Sequence, residues 1–174
     1  MKERLESILC HEFILFSIDE NLEELFSLIP ELRLMVNFDQ NNPAHDKDLW
    51  NHTLYALALS KNDFEIRLSL LLHDLGKVTC NYTGEDNITH YKGHPLDSFK
   101  ISEPILKRLD FSQKEQARIL YLIIHHDDPI ETELNELELK RLHIQYCDLY
   151  AHDRKYIEQR RNYIGQMTRK LELK

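Results

Sequence analysis

The stretch of the sequence best able to do chemistry is the pair His73-Asp74, which follows the apolar run 70–72. An imidazole and a carboxylate at the end of a buried helix are costly unless something binds or pairs them. Both groups are good ligands for a divalent metal ion. A structural interpretation also exists, in which His73 favours the helix dipole and Gly76 ends the helix in the left-handed conformation. The pair alone leaves both interpretations open.

Further histidines and aspartates lie on, or at the ends of, predicted apolar helices. His52 lies on a helix that starts near Asp48, and His94 lies just before Pro95 at a helix start. His125 follows an apolar helix, and Asp148 lies within a later helix. We expect Asp127 and Asp128 in a solvated turn, or orienting the histidines before them. Four further histidines are expected outside any site: His45 as a solvated side chain of the loop, and His11, His143 and His152 at surface or packing positions.

Apolar residues recur at three- and four-residue steps along most of the chain, which predicts helices. Capping boxes are predicted at Asn62-Glu65 and Ser112-Glu115, and a further helix should begin at Asn135-Glu138. Two N-terminal helices, or one helix broken at Pro30, should pack as a layer before a loop at 37–47. The connection 78–93 should be a small hairpin around Gly84 or a flexible flap, and we expect 82–91 to be mobile over the site.

Composition supports a soluble, helical, single-domain chain. The 174 residues are 42% hydrophobic and 30% charged, with only four Gly and five Pro. Three cysteines without paired spacing indicate reduced thiols in a cytoplasmic protein (Cys10, Cys80 and Cys147). We expect no signal peptide and no membrane span, since no apolar run approaches bilayer length.

Charge is distributed unevenly along the chain. The net charge of −8 disfavours general nucleic-acid binding. The tail 154–174, however, has seven Lys or Arg against two Glu, so the tail is +5 and the remainder −13. We interpret the tail as a final basic helix, in which a solvated face is favoured over a phosphate-binding one.

The order of these motifs resembles the HD superfamily of metal-dependent phosphohydrolases. Leu71-Leu72-His73-Asp74-Leu75-Gly76-Lys77 is similar to the HDxGK variant of the family motif. The segments Trp50-Asn51-His52-Thr53-Leu54 and Gly93-His94-Pro95-Leu96-Asp97-Ser98 most resemble the HD domain of bacterial CCA-adding tRNA nucleotidyltransferases. No nucleotidyltransferase domain is present in this sequence, so the tRNA-end function is not carried over.

The resemblance implies an all-α helical bundle with a metal site between helix ends. It would comprise N-terminal helices (1–47), an HD core (48–152) and a basic C-terminal helix (153–174). By this resemblance, one divalent ion would be held by His52, His73, Asp74 and Asp148. Asp74 would bridge to a second ion held by His94 and His125, with His126 as an alternative. Imidazole ligands suit Mn, Fe, Co, Ni or Zn better than Mg.

The expected activity is hydrolysis of a small nucleotide-type phosphoester by a metal-activated water. We expect catalysis to depend on Asp74, Lys77, His94 and His125. Lys77 would either contact a substrate phosphate or cap its helix. The alternative function is a catalytically silent module that binds or senses nucleotide or RNA, with an RNA end as a second candidate partner.

Overall fold

A computed structural model describes residues 1–129 and 134–172 as a set of packed helices with a small hairpin. The helices are α1 (Lys2–Leu9), α2 (Ile14–Glu20), α3 (Leu22–Leu28), α4 (Leu49–Ala58), α5 (Phe64–Leu72), α6 (His94–Arg108), α7 (Gln113–Ile124), α8 (Glu136–Ala151), α9 (Arg154–Gln159) and α10 (Arg161–Glu172). Short 3₁₀ helices span Pro30–Met35 and Leu75–Val78, and strands β1 (Tyr82–Thr83) and β2 (Thr89–His90) are antiparallel. The predicted all-α fold is confirmed. No helix in the described part of the chain has the length and apolarity needed to cross a bilayer.

Polar side chains at the predicted positions cap several helices. Asp48 accepts a hydrogen bond from the backbone N–H of Asn51 at the start of α4. Ser112 and Glu115 form the predicted reciprocal capping box of α7. Asn135 caps α8, as expected. These caps satisfy backbone donors that the first turn of a helix leaves unpaired.

The predicted capping box of Asn62 and Glu65 is wrong. The cap of α5 is Asp63, whose carboxylate accepts a 3.1 Å hydrogen bond from the backbone N–H of Ile66. Asn62 instead donates to the carbonyl of Cys10 at 3.0 Å. The Asn62 side chain is therefore engaged in a contact with the N-terminal segment and is not available as the helix cap.

Helix α5 is the central element of the fold. Every residue from Ile66 to Leu72 is buried. The helix is covered by α1, α4, α7 and α8. Whatever follows its last turn therefore begins inside the molecule, which is where His73 and Asp74 lie.

Gly76 does not end the helix in the left-handed conformation, because the chain continues into the 3₁₀ helix. Among the described glycines, the positive φ belongs to Gly93, at 89°. A Cβ at position 76 would lie 2.3 Å from the carbonyl oxygen of His94 and 2.5 Å from the backbone nitrogen of Ser98. Glycine is needed here because the turn packs directly on the start of α6. This contact brings Asp74 next to His94.

The connection between α5 and α6 contains a hairpin, which was one of the two predicted forms. The loop before α4 is hydrogen-bonded to this hairpin. The Asn41 amide donates to the carbonyl of Asn87 at 2.8 Å, and the Asn42 amide donates to the carbonyl of Thr89 at 2.9 Å. The mobility predicted for residues 82–91 stays a prediction.

The C-terminal segment forms two helices where one basic helix was predicted. The break lies at Arg160, between α9 and α10. The turn lets α10 lay Ile164 and Met167 against Leu142 and Leu149 of α8, in a second apolar cluster. The need to bury this apolar face is the physical reason for the break.

Candidate metal centre

Five helices bring His and Asp side chains to one point inside the fold. The residues are His52 on α4, His73 and Asp74 after α5, His94 at the start of α6, His126 after α7, and Asp148 on α8. All but His94 are at most 5% exposed. Since apolar faces hold each helix in place, the positions of these ligand-type groups are determined by the core.

The first group of potential metal ligands contains His52, His73, Asp74 and Asp148. His52 Nε2 lies 2.8 Å from Asp148 Oδ1. His73 Nε2 lies 3.3 Å from Asp74 Oδ2 and 3.4 Å from Asp148 Oδ1. The four ligand atoms all lie within 4.8 Å of one another, a spacing at which a single ion could contact them all.

The second group contains Asp74, His94 and His126. Asp74 Oδ1 lies 3.2 Å from His94 Nε2, which is itself 3.2 Å from His126 Nε2. Asp74 belongs to both groups, with Oδ2 facing the first and Oδ1 facing the second. A carboxylate in this position can bridge two cations.

Backbone carbonyls orient all four histidine rings in the same way. The Nδ1 atoms of His52, His73, His94 and His126 lie 3.2, 2.6, 3.0 and 2.7 Å from the carbonyl oxygens of Ala151, Leu70, Tyr91 and Ile123, respectively. An Nδ1–H donated to a carbonyl leaves Nε2 as the lone-pair atom of a neutral ring. Each ring thus presents a metal-binding lone pair to the cluster.

Potential metal-ligand atoms crowd the centre of the cluster. His73 Nε2 and Asp74 Oδ2 are buried without a hydrogen-bond partner. The neighbouring Nε2 atoms of His94 and His126 are both acceptors when their Nδ1 atoms carry the protons. Buried acceptors that face one another are unfavourable without a cation between them. The residues present therefore fit divalent metal ions.

The buried carboxylates and histidines of the cluster shift one another's pKa values. Burial opposes the charge on His73, but the carboxylates of Asp74 and Asp148 outweigh burial and raise its pKa to about 9. Burial would raise the pKa of Asp74, yet His73 and Lys77 hold it well below its usual range. For Asp148, His152 and His52 likewise overcome burial and lower the pKa. In the metal-free cluster His73 therefore carries a proton, which a metal ion would displace to reach the lone pair of Nε2.

His126 takes the place predicted for His125. The Nδ1 of His125 lies 2.6 Å from the Asp128 carboxylate, on an exposed side chain outside both ligand groups. The helical period predicts this outcome, because Ile119 and Ile123 lie on a buried stripe that continues to His126 and not to His125. Asp127, expected in a solvated turn, has Oδ2 3.5 Å from the Nε2 of His94.

Lys77 neither caps its helix nor faces open solvent. Its Nζ lies 2.8 Å from Asp74 Oδ2, in an ion pair that lacks hydrogen-bond geometry. It donates to the Oε1 of Gln40 at 3.0 Å and lies 5.6 Å from the ring centre of Tyr91. The lysine is 5% exposed, and this residual surface lines a cavity.

His45 and His152 were expected at surface or packing positions but lie beside the first group. Their ring centres are 4.9 and 5.1 Å from that of His52, and the three could themselves hold an ion. Burial, with Lys77 nearby, lowers the pKa of His45 to about 2, so this ring is neutral. The backbone bond from the N–H of Asp153 to the carbonyl of Ala44, 2.7 Å long, ties the two segments together. Local sequence patterns do not encode such a contact.

A cavity of about 300 Å³ lies against both ligand groups. Its walls are formed by Asn42, Ala44, His45, Asp74, Lys77, Tyr91, His94, Asp127, Asp148, His152 and Tyr156. Asp74 and Asp148 of the first group, His94 of the second group and the neighbouring Asp127 therefore border space that a small ligand can enter.

Comparison with known proteins gives one assignment. The family model described as "HD domain" matches residues 49–164, two thirds of the chain. No curated protein matches the chain. The matched range includes every residue of the two ligand groups.

Proposed function

The chain belongs to the HD domain family, and from this premise we propose that it is a metal-dependent phosphohydrolase acting on a small nucleotide-type phosphoester. The observation that carries the proposal is the position of Asp74. Its two oxygens face two separate sets of histidine nitrogens at the border of a cavity. This arrangement supports two ions on one bridging carboxylate.

We propose that His52, His73, Asp74 and Asp148 hold the first ion and that Asp74, His94 and His126 hold the second. Their imidazole-rich donor set favours Mn, Fe, Co, Ni or Zn over Mg. When bound, such ions would lower the pKa of a water molecule to near neutrality and neutralise charge on the phosphate oxygens.

The residues around the cavity favour water as the nucleophile. The described residues that line it include no Ser, Thr or Cys. The Tyr91 hydroxyl donates to the carbonyl of Gln40, and burial raises its pKa to about 12, so it is a poor nucleophile. Lys77 would add positive charge where the phosphate enters, while neutral His45 can accept a hydrogen bond.

A nucleotide-type substrate is supported by two observations. The cavity is small, about 300 Å³, which suits one phosphoester group with its sugar. The resemblance of the His52 and His94 segments to HD domains of CCA-adding enzymes, which rests on the sequence motifs alone, also favours a nucleotide. An RNA end remains the second candidate substrate class.

Metal analysis of matched variants tests the proposal. Purified protein, stripped and reloaded with each first-row ion and with Mg, would be assayed against phosphomonoesters, cyclic phosphodiesters and dinucleoside polyphosphates. We expect Asp74→Asn to lose both ions and all activity, because it removes the bridge. His126→Asn should lose one ion and most activity.

His125→Asn is the matched control, since His125 neighbours His126 but faces outward. It should retain both ions and the wild-type rate. Equal metal content in His125→Asn and His126→Asn would contradict the second site. If the wild type binds metal but hydrolyses no phosphoester, the silent binding module replaces the enzyme as the better account.

A further inference from the structure

A second pocket of about 280 Å³ adjoins the metal cavity. It is lined by Asp127, Gln145, Leu149, Tyr156, Arg160 and Tyr163. Asp127 and Tyr156 also line the metal cavity, so the two spaces share a wall. A ligand that extends past these two residues would occupy both spaces. We call this second space the side pocket.

An aromatic path leads from the metal ligands to the side pocket. The Tyr156 ring is stacked on His152, with centres 4.7 Å apart and planes at 19°. His152 in turn meets His52 edge-on at 5.1 Å. The guanidinium of Arg160 lies over the Tyr156 ring, 5.2 Å from its centre. His152 and Arg160 therefore both pack on the Tyr156 ring, which lies one ring away from a proposed metal ligand.

Hydrogen bonds hold the opposite wall in place. The Tyr163 hydroxyl donates to the Oε1 of Gln145 at 3.1 Å, and the Gln145 amide donates to the carbonyl of Asp128 at 2.9 Å. Gln145 is only 4% exposed, although it is polar. The second tyrosine is therefore fixed to the segment that carries Asp127. The pocket has two anchored phenol rings and an apolar contact from Leu149.

The chemistry of the walls indicates the class of ligand. The charged groups at the pocket are Asp127 and Arg160, which balance each other, so a second phosphate is not specifically favoured. Tyrosine faces and an arginine plane stack on flat aromatic groups. A polar edge of such a group could pair with the carboxylate and hydroxyl on the walls. These properties fit a nucleobase.

We propose that the side pocket binds the base of the substrate while its phosphate lies in the metal cavity. The role of this base as part of a substrate rests on the proposed function. The base would displace the exposed Arg160 side chain from Tyr156 and stack on the ring face that this frees, and the guanidinium would then flank the base. The C-terminal helices would then select the substrate, which gives part of the basic tail a role that its charge alone did not reveal.

Nucleoside binding tests the side pocket separately from hydrolysis, because a nucleoside has no phosphate. Adenosine, inosine, cytidine and uridine would be titrated calorimetrically into the full chain, with and without metal. We expect at least one to bind, and Tyr156→Leu to weaken it about tenfold or more, as expected when the ring beneath a base is removed. Tyr156→Phe should restore binding because it retains the ring. Tyr55→Leu, at an exposed tyrosine outside both pockets, should change nothing.

Kinetics on a substrate pair then connect the side pocket with the reaction. Tyr156→Leu should lower kcat/KM for a nucleoside monophosphate about tenfold more than it lowers kcat/KM for ribose 5-phosphate, since only the former has a base to stack. Failure of all four nucleosides to bind, or equal binding by wild type and Tyr156→Leu, would overturn the inference even if hydrolysis is observed. Nucleoside binding that depends on Tyr156, without hydrolysis of any ester, would uphold the base pocket and reject the enzyme.

Discussion

The tightest contact of the site is at Gly76, and replacing this glycine by alanine tests the packing directly. The added Cβ would lie 2.3 Å from the carbonyl oxygen of His94, 2.5 Å from the nitrogen of Ser98 and 2.9 Å from its hydroxyl oxygen. The two nearest atoms belong to the backbone of α6, so no rotamer change can relieve them. Either the 3₁₀ helix, which Asp74 directly precedes, or the start of α6, which is His94, must move, so the substitution also displaces a proposed metal ligand.

Overpacking of this kind typically costs about 1–3 kcal/mol. For a chain of this length, each kcal/mol shifts the melting temperature by about 2–4 °C. We therefore expect Gly76→Ala to lower the Tm of the metal-free protein by about 2–12 °C. Removing the hydroxyl as well, in Gly76→Ala/Ser98→Ala, should not raise the Tm again. The backbone contacts remain, and the N–H at position 76 loses its acceptor, Ser98 Oγ.

Gly165→Ala is the matched control in a thermal melt followed by circular dichroism. Gly165 lies within α10, and a Cβ there would meet no atom within 4 Å. Replacing an unstrained helical glycine by alanine stabilises by about 0.4–1 kcal/mol, so its Tm should rise by about 1–4 °C. If Gly76→Ala melts at or above the wild-type temperature while the control behaves as expected, the direct packing of the turn on α6 is refuted.

Two further predictions concern buried and paired charges. Arg141, 1% exposed, is paired with Glu138 and donates to three carbonyls of segment 125–129. Arg141→Met should lower the free energy of unfolding in urea by about 3–5 kcal/mol, because it leaves the Glu138 carboxylate buried without a partner. Adding Glu138→Gln should recover part of this loss, and no recovery would show that the unpaired carboxylate is not the cause. Hydrogen bonds from Arg118, helped by Lys140, lower the pKa of Glu65 from 4.5 to about 2. Because the pKa of Glu65 is lower in the folded than in the unfolded state, its ion pairs stabilise the fold most above pH 4.5 and lose this effect as the pH falls towards 2. The difference in unfolding free energy between wild type and Glu65→Gln should follow the same course. A difference that does not change with pH would contradict this ion pair.

The helices and most of the proposed ligands could be predicted from the sequence, because both depend on local periodicity. The apolar run before His73 determines a buried helix, and a buried helix brings its last residues into the core. The same rule, applied to Ile119 and Ile123, selects His126 over His125. His125 and His126 stand side by side at the polar end of α7, and only the buried stripe distinguishes the inward ring from the outward one.

Residues that depend on distant contacts could not be predicted in this way. His45 belongs to a polar loop whose composition indicates solvent exposure, and its burial follows from the backbone bond between Ala44 and Asp153. The role of Gly76 likewise follows from the approach of α6, since its own backbone conformation requires no glycine. Such contacts join segments more than ten residues apart, and single-chain patterns do not encode them.

The site thus has two parts with different structural origins. The proposed metal ligands are held by the apolar faces of α4 to α8, and changing them disturbs the core. Tyr156 and Tyr163, which line the side pocket, come instead from α9 and α10 and pack on a separate small cluster. Substitutions such as Tyr156→Leu lie outside the main core and should leave the ligands in place. The architecture therefore allows substrate selection to change independently of the metal chemistry.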